Sequence, residues 1–248
     1  AFQVIRGILP VPPLMKPLLV LAAFPVVLMG WASCSHSGTG HAALPDPRAV
    51  DKSVPEYKNP FHPSTYAHFV ARKDYRKTYD VYKDDTLLNR QPKKSRKIFV
   101  CLDEQRGQYL VDGLVAMDFP LSSGVKAYPT KTGDYAVISK KEDHTSNLYG
   151  KMYDAEGKCI NYNAESTDPI PEGGRFDGSP MPYWQRLTNA GLGLHVGKVR
   201  RHPVSHGCVR LPRNVAEILY RQTSIGTPVT IRKTPLPVPE AQKVPAVQ

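Results

Sequence analysis

One cysteine, Cys208, stands two residues after His206 in the run Ser205-His206-Gly207-Cys208-Val209-Arg210, and a second histidine, His195, lies upstream in Leu194-His195-Val196. Thiol beside imidazole is the pairing that acyl transfer through sulfur needs. The thiolate is the reactive form, and a free thiol is mostly protonated at neutral pH. An imidazole within reach takes that proton and later returns it to a leaving amine. Gly207 removes a side chain next to the sulfur, so a substrate carbonyl can approach the backbone there. The competing reading of Cys208 is a small buried hydrophobe. Its flanks, His206-Gly207 and Val209-Arg210, are poor core neighbours.

The Ser-His-Gly-Cys-Val-Arg run with its upstream histidine resembles the signature of the L,D-transpeptidases (YkuD-type domain), enzymes that rebuild peptide cross-links in bacterial cell walls. Pro129-Thr130-Lys131-Thr132-Gly133-Asp134-Tyr135 resembles the family's Thr-Pro-Thr-Gly segment, with Lys131 where proline is usual. Asp143-His144-Thr145-Ser146-Asn147-Leu148-Tyr149-Gly150 and Gly178-Ser179-Pro180-Met181-Pro182-Tyr183-Trp184 resemble a subgroup with a short His-to-Ser spacing. The resemblance runs over residues 96–233 and implies a β-sandwich. It also implies peptidoglycan stem peptides as partners, with a Cys208 thioester, release of D-alanine and a 3→3 cross-link as the chemistry. Carbapenem-type β-lactams are the inhibitors it implies. The same thioester passed to water would make a carboxypeptidase or cross-link hydrolase, and passed to a protein amine it would attach that protein to the wall. A wall-binding lipoprotein with a degenerate site is the alternative from another class.

The family pattern puts the general base at His195, where the plainer reading is a satisfied core histidine on a strand. Residues 206 and 208 point the same way in an extended chain, so His206 is read as orienting the site or as an alternative base. Ser205 supports the turn or bonds a histidine. The oxyanion needs donors, and the N–H groups of Gly207 and Cys208 are the candidates. Arg210 offers a planar fork to a substrate carboxylate, with a structural ion pair as the other reading. Tyr183, Trp184 and Arg186 are expected along the cleft, although an aromatic pair also serves simply to pack. His202 is expected to be solvated. His195, His202, His206 and Cys208 are four potential zinc ligands, but their spacing matches no zinc pattern, so no metal and no cofactor is expected.

These residues need a scaffold. Ile98–Leu102 reads as an apolar strand opening the domain. Gln108–Val111 and Leu114–Phe119 flank Asp112-Gly113 and read as a hairpin. Tyr135–Ser139, Gly191–Val196 and Thr227–Arg232 read as further strands, and Pro212–Gln222 as a helix with proline suited to its first turn. Many short strands and one helix indicate a mainly β domain over 98–233. Residues 140–186 carry Gly and Pro throughout without a sustained period, which reads as irregular; the resemblance makes that stretch a substrate-binding lid. In the basic, aromatic extension 66–97, Tyr75, Tyr79 and Tyr82 fall at helical spacing and read as a short amphipathic helix, which either grips an anionic polymer or, as such stripes more often do, packs on the domain. Lys93 to Lys97 reads as a solvated basic linker. Residues 234–248 read as a Pro-rich disordered or extended tail.

The 248 residues carry a net charge of +11. No nucleic-acid module is recognisable, and an anionic wall fits such a charge better. Met15-Lys16 precedes an apolar run that is shorter than a membrane span and ends at Ala32-Ser33-Cys34. Residues 1–33 therefore read as a secretory signal, with 1–14 an over-extended start. Cys34 resembles the lipid-modified cysteine of bacterial lipoproteins, with an ordinary signal or an uncleaved anchor as the other reading. Residues 34–65 read as a flexible tether. The expected location is the periplasm-facing cell envelope, with a lipid anchor in the outer membrane. Cys101 and Cys159 either form a disulfide in that oxidising compartment or remain two free thiols.

Overall fold

The computed structural model describes residues 44–91 and 95–246. The signal segment, Cys34 and the first part of the tether lie outside the described residues, as do Lys93 and Lys94.

In chain order the elements are α1 (Tyr66–Ala71), β1 (Tyr82–Lys83), α2 (Asp85–Asn89), β2 (Arg96–Cys101), β3 (Arg106–Val111), β4 (Leu114–Pro120), β5 (Gly133–Ala136), β6 (Ser139–Lys141), β7 (Thr145–Tyr153), β8 (Cys159–Glu165), β9 (Arg175–Pro180), β10 (Trp184–Arg186), β11 (Gly193–Val196), β12 (Val209–Leu211), α3 (Arg213–Gln222) and β13 (Pro228–Arg232). The fold is mainly β, as expected. One sheet runs β1-β4-β3-β2-β13-β5, a second β12-β11-β10-β6, and a third β8-β7-β9. The expected hairpin is β3–β4, and Asp112 and Gly113 at its tip have φ of 51° and 81°. Two successive left-handed residues are what a type I′ turn requires.

The first two sheets bury one shared core. Ile98, Val100, Tyr109 and Val111 meet Leu194, Val209 and Leu211 across it, and Val215, Ala216 and Leu219 of α3 close one side. Each such large apolar side chain contributes roughly 1.5–3 kcal/mol on burial. Along β3 the side chains alternate: Tyr109 and Val111 face this core, while Leu110 faces a second one on the other side of the sheet.

That second core corrects three expectations. Phe61, Tyr66, Phe69, Val70, Tyr75 and Val238 form it with Val115. The tether as far as it is described, from Leu44 on, packs against the domain through Val50 and Phe61. The tail returns as well: the Gln242 amide donates to the Val115 carbonyl and its oxygen accepts from the Val115 N–H, and Phe61 pairs with Pro245. The expected tyrosine helix is absent, because α1 ends at Ala71 and the tyrosines serve different elements. Tyr66 and Tyr75 donate to buried Asp118 at 2.7 and 2.9 Å. Asp118 also accepts from Gln108 at 3.0 Å and from Arg106, whose guanidinium continues to the Thr78 and Asp80 carbonyls. Apolar burial and a four-donor carboxylate outweigh a helical spacing of tyrosines here.

One further correction concerns the middle of the chain, and one open choice is resolved there. The segment expected to be irregular folds largely into β6 to β10, and its central part is the antiparallel three-stranded sheet, with register breaks between Gly150 and Met152 that hide the period. Cys101 and Cys159 are free. Cys101 is fully buried in β2 with its thiol directed to the Lys233 carbonyl, whereas Cys159 begins β8 in the third sheet.

Candidate active site

Cys208 lies at the end of the loop joining β11 to β12. These strands pair in parallel, with His195 opposite Arg210 and Leu194 opposite Val209. The pairing brings His195 and Cys208 to one cavity of about 920 Å³, whose wall also includes Ser205, His206, Gly207, Arg210, Trp184 and Arg186.

The turn carrying the cysteine is tightly fixed. Ser205 Oγ donates to the Cys208 carbonyl at 2.5 Å and accepts from the Gly207 N–H at 3.2 Å. Ser205 is thus the support of the turn. Because its N–H is engaged by Ser205, Gly207 is not an open oxyanion donor; of the two expected donors, Cys208 N–H is the one that remains. Thr130 Oγ1 donates to the Gly207 carbonyl at 2.6 Å and accepts from the Gly124 N–H at 2.8 Å. Gly207 has φ of 111°, a conformation that favours glycine. At Gly124 a Cβ would stand 2.8 Å from Gly207 Cα, so the two backbone segments touch directly.

The Cys208 thiol donates to the Gly191 carbonyl at 3.3 Å. Burial pushes it above the ordinary thiol range, and an N–H from Gly193 and the charge of Arg210 oppose that push. His195 is 6% exposed. Its Nδ1 lies 2.7 Å from the Val196 carbonyl, so Nδ1 carries the proton and Nε2 is left as the acceptor. Burial lowers His195 to about 4, with the Val196 contact opposing and the charges of Arg210 and His144 adding. At neutral pH the site therefore holds a neutral imidazole and a protonated thiol.

His206 shares this cavity wall and packs on the third sheet. Its ring stacks on Tyr149 of β7, with centroids 4.2 Å apart and planes at 15°, and Tyr128 lies 4.9 Å away on a tilt. This stack ties the turn that carries Cys208 to the third sheet. Trp184 lines the cavity and packs against His144 at 5.1 Å and His195 at 5.9 Å. Arg186 donates to the Thr188 and Asn189 carbonyls at 3.0 and 2.7 Å, which fixes the turn presenting Gly191. Tyr183 is outside the cavity wall. Its φ is 56°, and its ring packs on Tyr220 of α3 at 5.6 Å. Arg210 lines the cavity, and among the described residues it has no carboxylate partner. Its stem lies over Gly197, where a Cβ would come within 2.7 Å. His202 is exposed beside the Pro203 carbonyl.

The YkuD L,D-transpeptidase catalytic domain matches residues 95–231. The chain belongs to this family. Probable L,D-transpeptidase 3 of Mycobacterium tuberculosis is 31% identical over 121 residues, which is 46% of this chain and 38% of that protein. The L,D-transpeptidase of Mycobacterium smegmatis is 21% identical, with a TM-score of 0.43 over 56% of this chain and 58% of that one. An L,D-transpeptidase structure in complex with imipenem is also 21% identical, with a TM-score of 0.43 over 56% and 59% of the two chains. The assignment rests on the family match and on this chain's own site.

Residue by residue, the spacing had marked Cys208, His195 and Ser205, and the fold brings them together. Thr130 and Tyr149 had been quoted only within motifs, and nothing in their type or position announced the Gly207 and His206 contacts. Gly191 reads in sequence as the start of a strand, but it lies in the turn before β11 with φ of 91°, and its part at the site is played by a main-chain carbonyl.

Proposed function

We propose that this L,D-transpeptidase forms 3→3 peptidoglycan cross-links through a thioester on Cys208. His195 Nε2 takes the thiol proton as sulfur attacks the amide carbonyl of the third residue of a donor tetrapeptide. The C–N bond to D-alanine breaks, and the proton goes to the leaving amine. An acceptor side-chain amine then attacks the thioester, His195 receives its proton, and the sulfur regains it on leaving. The observation that carries this reading is the shared cavity of Cys208 and a neutral His195 whose Nδ1 is already committed to Val196. Carbapenem-type β-lactams, as acylating mimics, are expected to react at the same sulfur. The reading puts the enzyme at the cell envelope, held by lipid on Cys34; loss of labelled palmitate incorporation in Cys34→Ala tests that part.

The catalytic test incubates purified disaccharide-tetrapeptide with wild type and Cys208→Ala and reads products by mass spectrometry. A dimer lighter than two substrates by one D-alanine, made by wild type alone, supports the proposal. Tripeptide without dimer points instead to hydrolysis, and product from Cys208→Ala contradicts the role of the sulfur.

A further inference from the structure

The turn between β2 and β3 holds Gln105, whose φ is 49°. A left-handed backbone carries a steric cost that glycine would avoid. The position is nevertheless filled by a long polar side chain that is 5% exposed. Its amide is fully engaged. Nε2 donates to the Leu102 carbonyl at 2.7 Å and to Ser123 Oγ at 2.8 Å, and Oε1 accepts from the Ser123 N–H at 2.9 Å. A reversed amide would set oxygen against the Leu102 carbonyl and N–H against the Ser123 N–H, so these partners fix its orientation. The plain reading of such a clasp is a stabilised turn, but the bonds continue beyond it. The Ser123 carbonyl accepts from the N–H groups of Val204 and Ser205 at 2.8 and 3.0 Å. Ser205 Oγ in turn holds the Gly207 N–H and the Cys208 carbonyl. Gln105, Ser123 and Ser205 are all buried, where an unmade hydrogen bond is costly. Strand pairing reaches the catalytic segment only from Val209 onward, so the turn before it depends on this series of bonds and on Thr130.

We infer that Gln105 is a positioning residue for acyl transfer: its amide sets Ser123, and through Ser123 it sets the Ser205 that holds the Cys208 turn. The inference rests on Cys208 being the residue that is acylated, as in the reading above. Gln105 touches neither substrate nor sulfur. Its contribution is the alignment of the sulfur with His195 Nε2 and with the Cys208 N–H. Misplacing groups that act only in the transition state lowers the rate of the bound complex and leaves ground-state binding unchanged.

The test follows imipenem acylation of Cys208 by stopped flow in wild type, Gln105→Gly, Ser123→Ala and the double variant. Glycine keeps the left-handed turn and removes only the amide. Each rate is taken per Cys208 acylated at completion, so protein that fails to fold does not enter it. The expected result for Gln105→Gly is a maximal acylation rate lower by about tenfold or more. The half-saturating imipenem concentration and the rate of iodoacetamide alkylation should stay unchanged. A role confined to stability would leave the maximal rate alone. Ser123→Ala keeps Gln105 and the bond from the Ser123 N–H, and it should show the same split with a smaller fall. The double variant should be no slower than Gln105→Gly, because both changes act on one link. A retained maximal rate in either single variant, a loss expressed in half-saturation, or losses that multiply in the double variant overturns the inference. Wild type that gains no adduct on Cys208 overturns the Cys208 reading itself, whereas an acylated Cys208 with unimpaired Gln105→Gly overturns this inference alone.

Discussion

The Nδ1 of His195 lies 2.7 Å from the Val196 carbonyl, which assigns the proton to Nδ1 and the lone pair to Nε2. With the ring lowered to about 4 by burial, the folded protein keeps His195 neutral where the unfolded chain, titrating near 6.5, is protonated. Between those values the unfolded state binds more protons, so stability rises with pH across the window and is lost as pH falls from about 6.5 toward 4. His68, His144 and His206 are also lowered by burial and act in the same direction. His195 alone accounts for an upper figure of ~3 kcal/mol. Urea unfolding at pH 7 and pH 4.5 should show the acid loss, and His195→Gln should reduce it.

Cys208 is raised and His195 is lowered, so the resting pair is neutral rather than thiolate and imidazolium. Alkylation of Cys208 by iodoacetamide should be slow at pH 7 and climb through pH 9 without a plateau at neutrality. A fast rate already constant below pH 7 would show a preformed ion pair.

Thr130 and Ser205 hold the two carbonyls on either side of the cysteine peptide. Thr130→Val leaves the Gly207 carbonyl and the Gly124 N–H without their partner, and a cost of about 1–3 kcal/mol follows. The rate of β-lactam acylation should fall by about tenfold or more as the turn relaxes. Ser205→Ala should act similarly, which stopped-flow acylation can check.

The loop between the two site strands is anchored by Arg201, which has φ of 56°. Its guanidinium donates to the Thr78 carbonyl at 2.7 Å and the Glu104 carbonyl at 3.0 Å. The N-terminal extension therefore supports the loop that leads to Cys208. Arg201→Ala should lose about tenfold in kcat/KM, chiefly in kcat, and Arg201→Lys should recover part of it; steady-state kinetics with the stem substrate measures both.

Asp118 and Arg106 are fully buried together. Asp118→Asn keeps the shape but leaves the guanidinium unpaired, at a cost of about 3–5 kcal/mol. Equilibrium unfolding should register this, and because Tyr66 and Tyr75 bond the same carboxylate, release of the extension should accompany it. Limited proteolysis between residues 72 and 80 reads that release.

The strands of the large sheet were legible because apolar runs such as Ile98 to Cys101 and the Asp112-Gly113 turn are local signals. So were Cys208 and its turn residues, since thiol chemistry restricts the choice of neighbours. The third sheet was not, because its β7 and β8 strands are broken by register shifts and largely exposed, which erases alternation. The docking of the extension and tail was hidden for another reason. Phe61, Tyr75 and Val238 are far apart in the chain and meet only on the outer face of β3 and β4, and Asp118 reads in sequence as an ordinary strand carboxylate. Arg210 is open in sequence between an ion pair and a substrate contact, and it has no carboxylate partner among the described residues.

The most direct measurement is the intact mass of the protein after incubation with imipenem, in wild type and Cys208→Ala, with peptide mapping of any adduct. The account predicts one added carbapenem on Cys208 in wild type and none in the variant. An adduct on another residue, or one that persists in Cys208→Ala, would contradict it.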